Sequence, residues 1–132
     1  MAIVFLTVAE IIEIHRDVIE GYGGGTGIRD IGLLESAASM PEATFGNTFL
    51  HKNLPSMAAA YCFHLVCNHP FVDGNKRVGA AAAVVFLKIN GWAFTADQDD
   101  YSDVVLRVAS SEMDKQSLSD FFERHASPPA PS

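Results

Sequence analysis

Apolar positions in this 132-residue chain recur at helical spacing, in stretches separated by clusters of glycine, proline and asparagine. Thr7-Val-Ala-Glu10 has the form of a capping box with Thr7 as N-cap. Val8, Ile11, Ile12, His15, Val18, Ile19 and Tyr22 follow on one face, which predicts an amphipathic first helix. Glycines at 21, 23, 24, 25 and 27 stop it in a flexible turn. Asp30 is placed to cap a short second helix through Leu33, Leu34 and Ala37–Ala38, closed by Pro41. Residues 42–54 are mixed in character and read as a loop with a short hairpin. Pro55 suits the first turn of a third helix that ends near Asn68.

From Ser56 to Asn68 the only ionisable groups are Tyr61, Cys62, His64 and Cys67, and from Val78 to Leu87 there are none. A helix apolar on all sides is buried on all sides, so these two segments should form the centre of the domain. Ala80–Ala83 should let neighbouring helices pack closely. Asn90-Gly91 is a helix stop, Trp92–Thr95 a short extended piece, and further helices are expected near 99–110 and 117–125. The tail from Ser127, with Pro128, Pro129 and Pro131, should be frayed. No internal repeat and no linker interrupts the pattern. The prediction is an all-α bundle over residues 1–126, followed by a disordered proline-rich tail, 127–132.

Composition narrows the function. The chain is 48% hydrophobic and 19% charged, as a globular domain is. A net charge of -7 argues against non-specific binding to nucleic acid or to an anionic membrane, while leaving room for one local cationic pocket. Cys62 and Cys67, five apart on a helix, point away from each other and should not form a disulfide. The apolar N-terminus carries no Lys or Arg and is followed by Glu10 and Glu13, which does not read as a signal peptide. Val78–Leu87 is too short to span a bilayer. A soluble cytoplasmic domain is expected.

The chemistry concentrates in residues 69–77, His-Pro-Phe-Val-Asp-Gly-Asn-Lys-Arg, between the two apolar segments. Pro70 disfavours the helical conformation at His69, so the third helix should end there, with the imidazole at the mouth of a loop. A neutral imidazole there can take a proton from an attacking hydroxyl. Phe71 is the expected anchor to the core. Asp73 offers a hard oxygen suited to Mg²⁺ shared with a nucleotide's phosphates. Gly74 lets the backbone approach a ligand. Gly74–Arg77 open a helix whose N-terminus favours an anion. Asn75 adds an amide donor, Lys76 a compact charge and Arg77 a planar fork matched to phosphate oxygens.

Other readings fit less well. The sequence departs from Walker A, because Asn75 precedes Lys76 and Arg77 stands in place of Ser or Thr. The glycine turn at 21–27 follows a helix and lacks the dinucleotide spacing. Cys62, His64, Cys67 and His69 cannot converge on zinc, since only His64 and Cys67 share a helix face. His15 reads as a satisfied core histidine or a group supporting the site, and His51 and His125 as surface residues.

Residues 69–77 resemble the signature of the Fic/Doc superfamily, His-Pro-Phe-x-Asp/Glu-Gly-Asn-Gly/Lys-Arg. Lys76, where most Fic AMP-transferases have a second glycine, places the chain nearer the death-on-curing toxins. Tyr22-Gly-Gly, Gly27-Ile-Arg-Asp-Ile-Gly-Leu-Leu-Glu-Ser-Ala37 and Asn90-Gly91 are similar to that group too. The resemblance implies an all-α Fic fold acting as the toxin of a type II toxin–antitoxin pair. Its reaction would be transfer of the γ-phosphoryl group of ATP to a threonine of elongation factor Tu, blocking translation. AMP transfer to a protein hydroxyl and a catalytically silent nucleotide-binding module are the alternatives.

By position, His69 would activate the hydroxyl, Asp73 would hold Mg²⁺, and Gly74, Asn75, Lys76 and Arg77 would bind phosphates. Lys76 would crowd the usual phosphate pocket and fit a reversed nucleotide. Residues 45–52 would be the flap that aligns the target. Val78 replaces the usual threonine. The nearest match to a self-inhibitory Ser/Thr-x-x-x-Glu-Gly/Asn helix, Ser119 to Glu123, is followed by Arg124. A separate Phd-like antitoxin is therefore expected, folding a disordered segment into an apolar groove.

Overall fold

The computed structural model describes residues 2–131. They form six α-helices, one 3-10 turn and two short antiparallel strand pairs. Helix α1, Val8–Tyr22, begins at the expected capping box: Thr7 Oγ1 accepts from the Glu10 N–H at 3.1 Å while Glu10 Oε1 accepts from the Thr7 N–H at 2.9 Å. It buries Ile11, His15, Val18 and Ile19. Helix α2, Ile31–Ser39, is capped by Asp30 and tightens into the 3-10 turn Met40–Glu42 around Pro41. Strands β1, Thr44–Phe45, and β2, Thr48–Phe49, form the expected hairpin, with Phe45 85% exposed at its tip.

Helices α3, Leu54–Asn68, and α4, Asn75–Ile89, make the most extensive contact in the molecule. Tyr61, Leu65, Phe86 and Leu87 are fully buried where they meet the rest of the core. The two backbones approach closely at Gly79. A Cβ there would lie 2.8 Å from Val66 Cγ2 and 3.0 Å from the Cys62 carbonyl oxygen, so only glycine fits without displacing α3. Burial is less uniform than a charge-free sequence suggests. Phe63 and His64 on α3 and Ala80, Ala81, Val84 and Val85 on α4 are half-buried, and Cys67 is exposed.

Strand β3, Ala93–Phe94, leads to α5, Gln98–Ala109, and α6, Lys115–His125. Strand β4, Ala126–Ser127, returns to pair with β3, Ser127 opposite Ala93, and Pro129 lies against Gly91. Strand pairing ends at Ser127.

Two histidines differ from expectation. His51 is 8% exposed, turned inward where the chain leaves the hairpin for α3. His125 is half-buried, its ring 4.5 Å from that of Phe121. Helix α6 runs antiparallel to α3: Lys115 Nζ donates to His64 Nε2 at 3.0 Å near one end, and Asn53 Nδ2 donates to Glu123 Oε1 at 3.1 Å at the other. Burial first, then the Lys115 charge and His51, push His64 down to about 4.

The folded chain thus resists a proton that the unfolded chain takes up near pH 6.5. Stability should be full above that value and fall as pH drops from about 6.5 toward 4. Urea denaturation across this window should show a shallower pH slope in His64→Gln than in the parent, and an identical slope would refute the assignment.

Candidate active site

The loop joining α3 to α4 starts from a strained residue. His69 ends α3 with φ 54° and ψ 52°. It leaves the right-handed helix as Pro70 requires, but into the left-handed region, which costs a side-chain-bearing residue about 1–2 kcal/mol. Arg29 holds it there. Its Nε donates to the His69 carbonyl at 2.6 Å and its Nη2 to the Asn68 carbonyl at 2.9 Å, satisfying oxygens that a helix end would otherwise leave open. The N–H groups of Arg29 and Asp30 both donate to the Pro70 carbonyl, and that of Val72 to the Gly27 carbonyl. Residues 27–30 therefore strap the outside of the loop, with an isolated bridge between Ile28 and Phe71. The His69 side chain remains exposed.

Beneath the loop, Phe71 is buried and the His15 ring lies flat on it, centroids 3.8 Å apart and planes within 5°. His15 Nε2 donates to the Asp73 carbonyl at 2.7 Å. Asn75 locks the loop to α4. Its Nδ2 donates to the Phe71 carbonyl at 3.0 Å, and its Oδ1 accepts from the Phe71 N–H at 2.9 Å. This carboxamide is 3% exposed and turned inward, unlike the ligand-facing amide expected from sequence. What Asn75 can offer a ligand is its backbone N–H.

Asp73 faces outward with both oxygens fixed by backbone: Oδ1 accepts from Gly74 at 2.9 Å and Oδ2 from Gly25 at 3.2 Å. These two N–H groups, with smaller contributions from Arg77 and His15, hold its carboxyl below the usual carboxylate range. The glycine turn after α1 is what reaches it. Gly24, at φ 120°, approaches so closely that a Cβ would stand 2.7 Å from Asp73 Oδ2. The glycines missed as a site element thus cradle the acid.

Gly74 is the N-cap of α4, at φ 79°, and no side chain caps that helix. The other five are capped by Thr7, Asp30, Asn53, Asp97 and Asp114. The first N–H groups of α4 are left for something outside the chain. Lys76 and Arg77 flank them, exposed, and the Arg77 guanidinium rests 4.4 Å from the centroid of the Tyr22 ring. Val78, at the threonine position, is fully buried and faces the core.

One loop therefore brings together His69, Asp73, Gly74, Lys76 and Arg77, while the Asn75 side chain supports it from within. Sequence reasoning missed Arg29 and the glycine cradle; the Gly27-Ile-Arg-Asp stretch was the available signal for the first. Asp73 fits a magnesium ion of the kind that keeps most of its waters, being a single ionised, outward carboxylate. Among the described residues no three His, Cys, Asp or Glu side chains gather to enclose a metal.

A model of the Fic/DOC family matches residues 5–87, which include α1 to α3, the whole of this loop and α4 as far as Leu87. The chain belongs to the Fic/DOC family. It is 40% identical over 99 residues to a protein of Mycolicibacterium smegmatis named Toxin Doc, covering 74% of this chain and 76% of the relative. It is 29% identical over 115 residues to Protein kinase doc of Escherichia phage P1, covering 87% and 90%. The all-α bundle is thus the helical Fic/DOC fold, and no helix among the described residues is long and apolar enough to cross a membrane.

Removing the Asn75 carboxamide would leave a buried N–H and a buried carbonyl of Phe71 without partners, at about 1–3 kcal/mol each. Asn75→Ala is expected to lower unfolding free energy by about 2–5 kcal/mol in urea titration. A loss below about 1 kcal/mol would show that the lock contributes little.

Proposed function

We propose that this Fic/DOC protein is a toxin that transfers the γ-phosphoryl group of ATP to a protein hydroxyl, with a threonine of elongation factor Tu as target and a block of translation as outcome. The observation that carries the reading is the juxtaposition of an exposed imidazole, an ionised carboxylate and an uncapped, cation-flanked helix start on one rigid loop. The names of the relatives, Toxin Doc and Protein kinase doc, support the same direction.

The Asp73 carboxylate would hold Mg²⁺, whose charge offsets that of the phosphates when bound. The α4 N–H groups, Lys76 and Arg77 would grip the polyphosphate and stabilise charge gathering on the transferred group. His69 accepts the proton of the target hydroxyl as its oxygen bonds to the γ-phosphorus. The bond from that phosphorus to the ADP oxygen breaks, ADP leaves, and His69 later releases its proton to solvent. Lys76 in place of the second glycine of AMP-transferases favours the kinase over AMP transfer. The exposed hairpin Thr44–Phe49 suits the target-aligning flap.

Self-inhibition through α6 is disfavoured on geometric grounds too. Glu123 is bonded to Asn53, at the end of α3 remote from His69. Restraint would come from a separate antitoxin, Phd-like, acting in the cytoplasm.

ATP labelled at the α or the γ phosphate, incubated with elongation factor Tu, separates the chemistries. Label on the target from the γ position alone is expected, and label from the α position alone would establish AMP transfer. His69→Ala should cut the rate about 10²–10⁴-fold, and survival of both growth arrest and target labelling would rule out the mechanism.

Arg29 spends its guanidinium on the His69 and Asn68 carbonyls, so its role would be to hold His69. Arg29→Ala is expected to lower kcat on the order of 10–10²-fold with KM for ATP nearly unchanged in steady-state kinetics. A rise in KM at constant kcat would assign Arg29 to nucleotide binding instead.

A further inference from the structure

A polar cavity of about 510 Å³ lies between the exit of the hairpin, the start of α3 and α6, and none of its lining residues belongs to the loop of residues 69–77 or to the glycine turn. Leu50, His51, Lys52, Ser56, Lys115 and Ser119 are among them. His51 is 8% exposed and its Nδ1 is buried without any hydrogen-bond partner, which calls for an explanation in a folded interior. Lys115 is half-buried beside it, and its only hydrogen-bond partner among the described residues is the imidazole of His64, at 3.0 Å.

Three nitrogen bases therefore crowd together with no carboxylate between them, in a chain carrying 16 Asp and Glu against 9 Lys and Arg. Glu123, the acid on the cavity wall, lies eight residues along α6 from Lys115, about 12 Å away, and is engaged by Asn53. The ammonium is thus taken partly out of water without a counter-charge, an arrangement that an incoming oxyanion would relieve. Ser119, 7% exposed, adds a hydroxyl to the same wall.

We propose that this cavity is a second ligand site, which takes an oxyanion, a carboxylate or a phosphate, on Lys115 with His51 and His64 behind it. Because the chain leaves β2 through Leu50 and His51, an occupant would bear on the base of the hairpin rather than on the nucleotide.

Burial and Lys115 both hold the two imidazoles below their ordinary range, so neutralising Lys115 must move them up. The test is an NMR pH titration of the histidine side chains in the full chain, with inorganic phosphate and, separately, with acetate. Saturable shifts at His51 and His64, with an upward move of the His64 midpoint, are expected. Whichever anion saturates at lower concentration names the class, and Arg77→Ala should leave these shifts unchanged, separating this cavity from phosphate bound at α4.

Lys115→Met should weaken binding at least tenfold while Lys115→Arg retains it. Shifts that stay linear in concentration, that persist in Lys115→Met, or that vanish in Arg77→Ala would overturn the proposal. The parent titration decides the matter alone if Lys115→Met does not fold.

Discussion

The paired hydrogen bonds between the Asn75 carboxamide and the Phe71 backbone are the constraint on which the rest of the site depends. They close a ring between the first residue of α4 and the middle of the loop, so the loop cannot move without α4. Since α4 is itself packed along α3 with glycine-close contact at Gly79, the loop inherits the rigidity of the core. Phe71 converts that restraint into position. It is buried between the helices with His15 flat against it, and His15 in turn holds the Asp73 carbonyl. A polar loop in the middle of an apolar bundle is thus fixed by satisfying its backbone, and its charged side chains are left free to face outward.

The outer strap works against a different problem. His69 sits in a conformation that side-chain-bearing residues avoid, and nothing in α3 itself keeps it there. Arg29 supplies two charge-assisted hydrogen bonds to the last carbonyls of α3, each of a strength comparable to the backbone strain. The same stretch of chain carries the glycine turn that closes on Asp73. Asp73, His69 and their separation are therefore all referred to one segment, residues 24–30, as well as to the loop. The two ends of the strap act on different groups, so damage at Gly24 and damage at Arg29 should differ in kind: one perturbs the carboxylate, the other the imidazole.

Much of this was legible in the sequence, because the helices are punctuated by strong local signals. The capping box at Thr7, Asp30 before Leu33, Pro55 in a first turn and Asn90-Gly91 each act within a few residues, and each is found where the pattern placed it. The hairpin and the order of helices followed from the same punctuation. What could not be read were contacts between segments far apart in the chain. Arg29 meets His69 across 40 residues and Gly25 meets Asp73 across 48. Neither residue type at its own position announces its partner. Asn75 was misjudged for the opposite reason: its chemistry suits a ligand, and only burial shows that its amide is already engaged. His51, expected at the surface, is buried because the return from the hairpin folds it under, which its own sequence neighbours do not announce.

Side-chain caps on five helices and none on α4 set the energetic terms for ligand binding. A cap typically stabilises a helix by about 1 kcal/mol, and Gly74 forgoes that to keep the N–H groups open. It also holds the left-handed turn that a Cβ would press against Ile19 at 3.1 Å. An anion bound there would supply what a side chain supplies elsewhere, so that binding and completion of the helix would be one event. With Lys76 and Arg77 on the first turn, where positive charge opposes the helix dipole, α4 is least favourable when empty. Phosphate oxygens placed there would reverse both penalties together. The helix start is left incomplete, and what the fold withholds there is what an anion would supply.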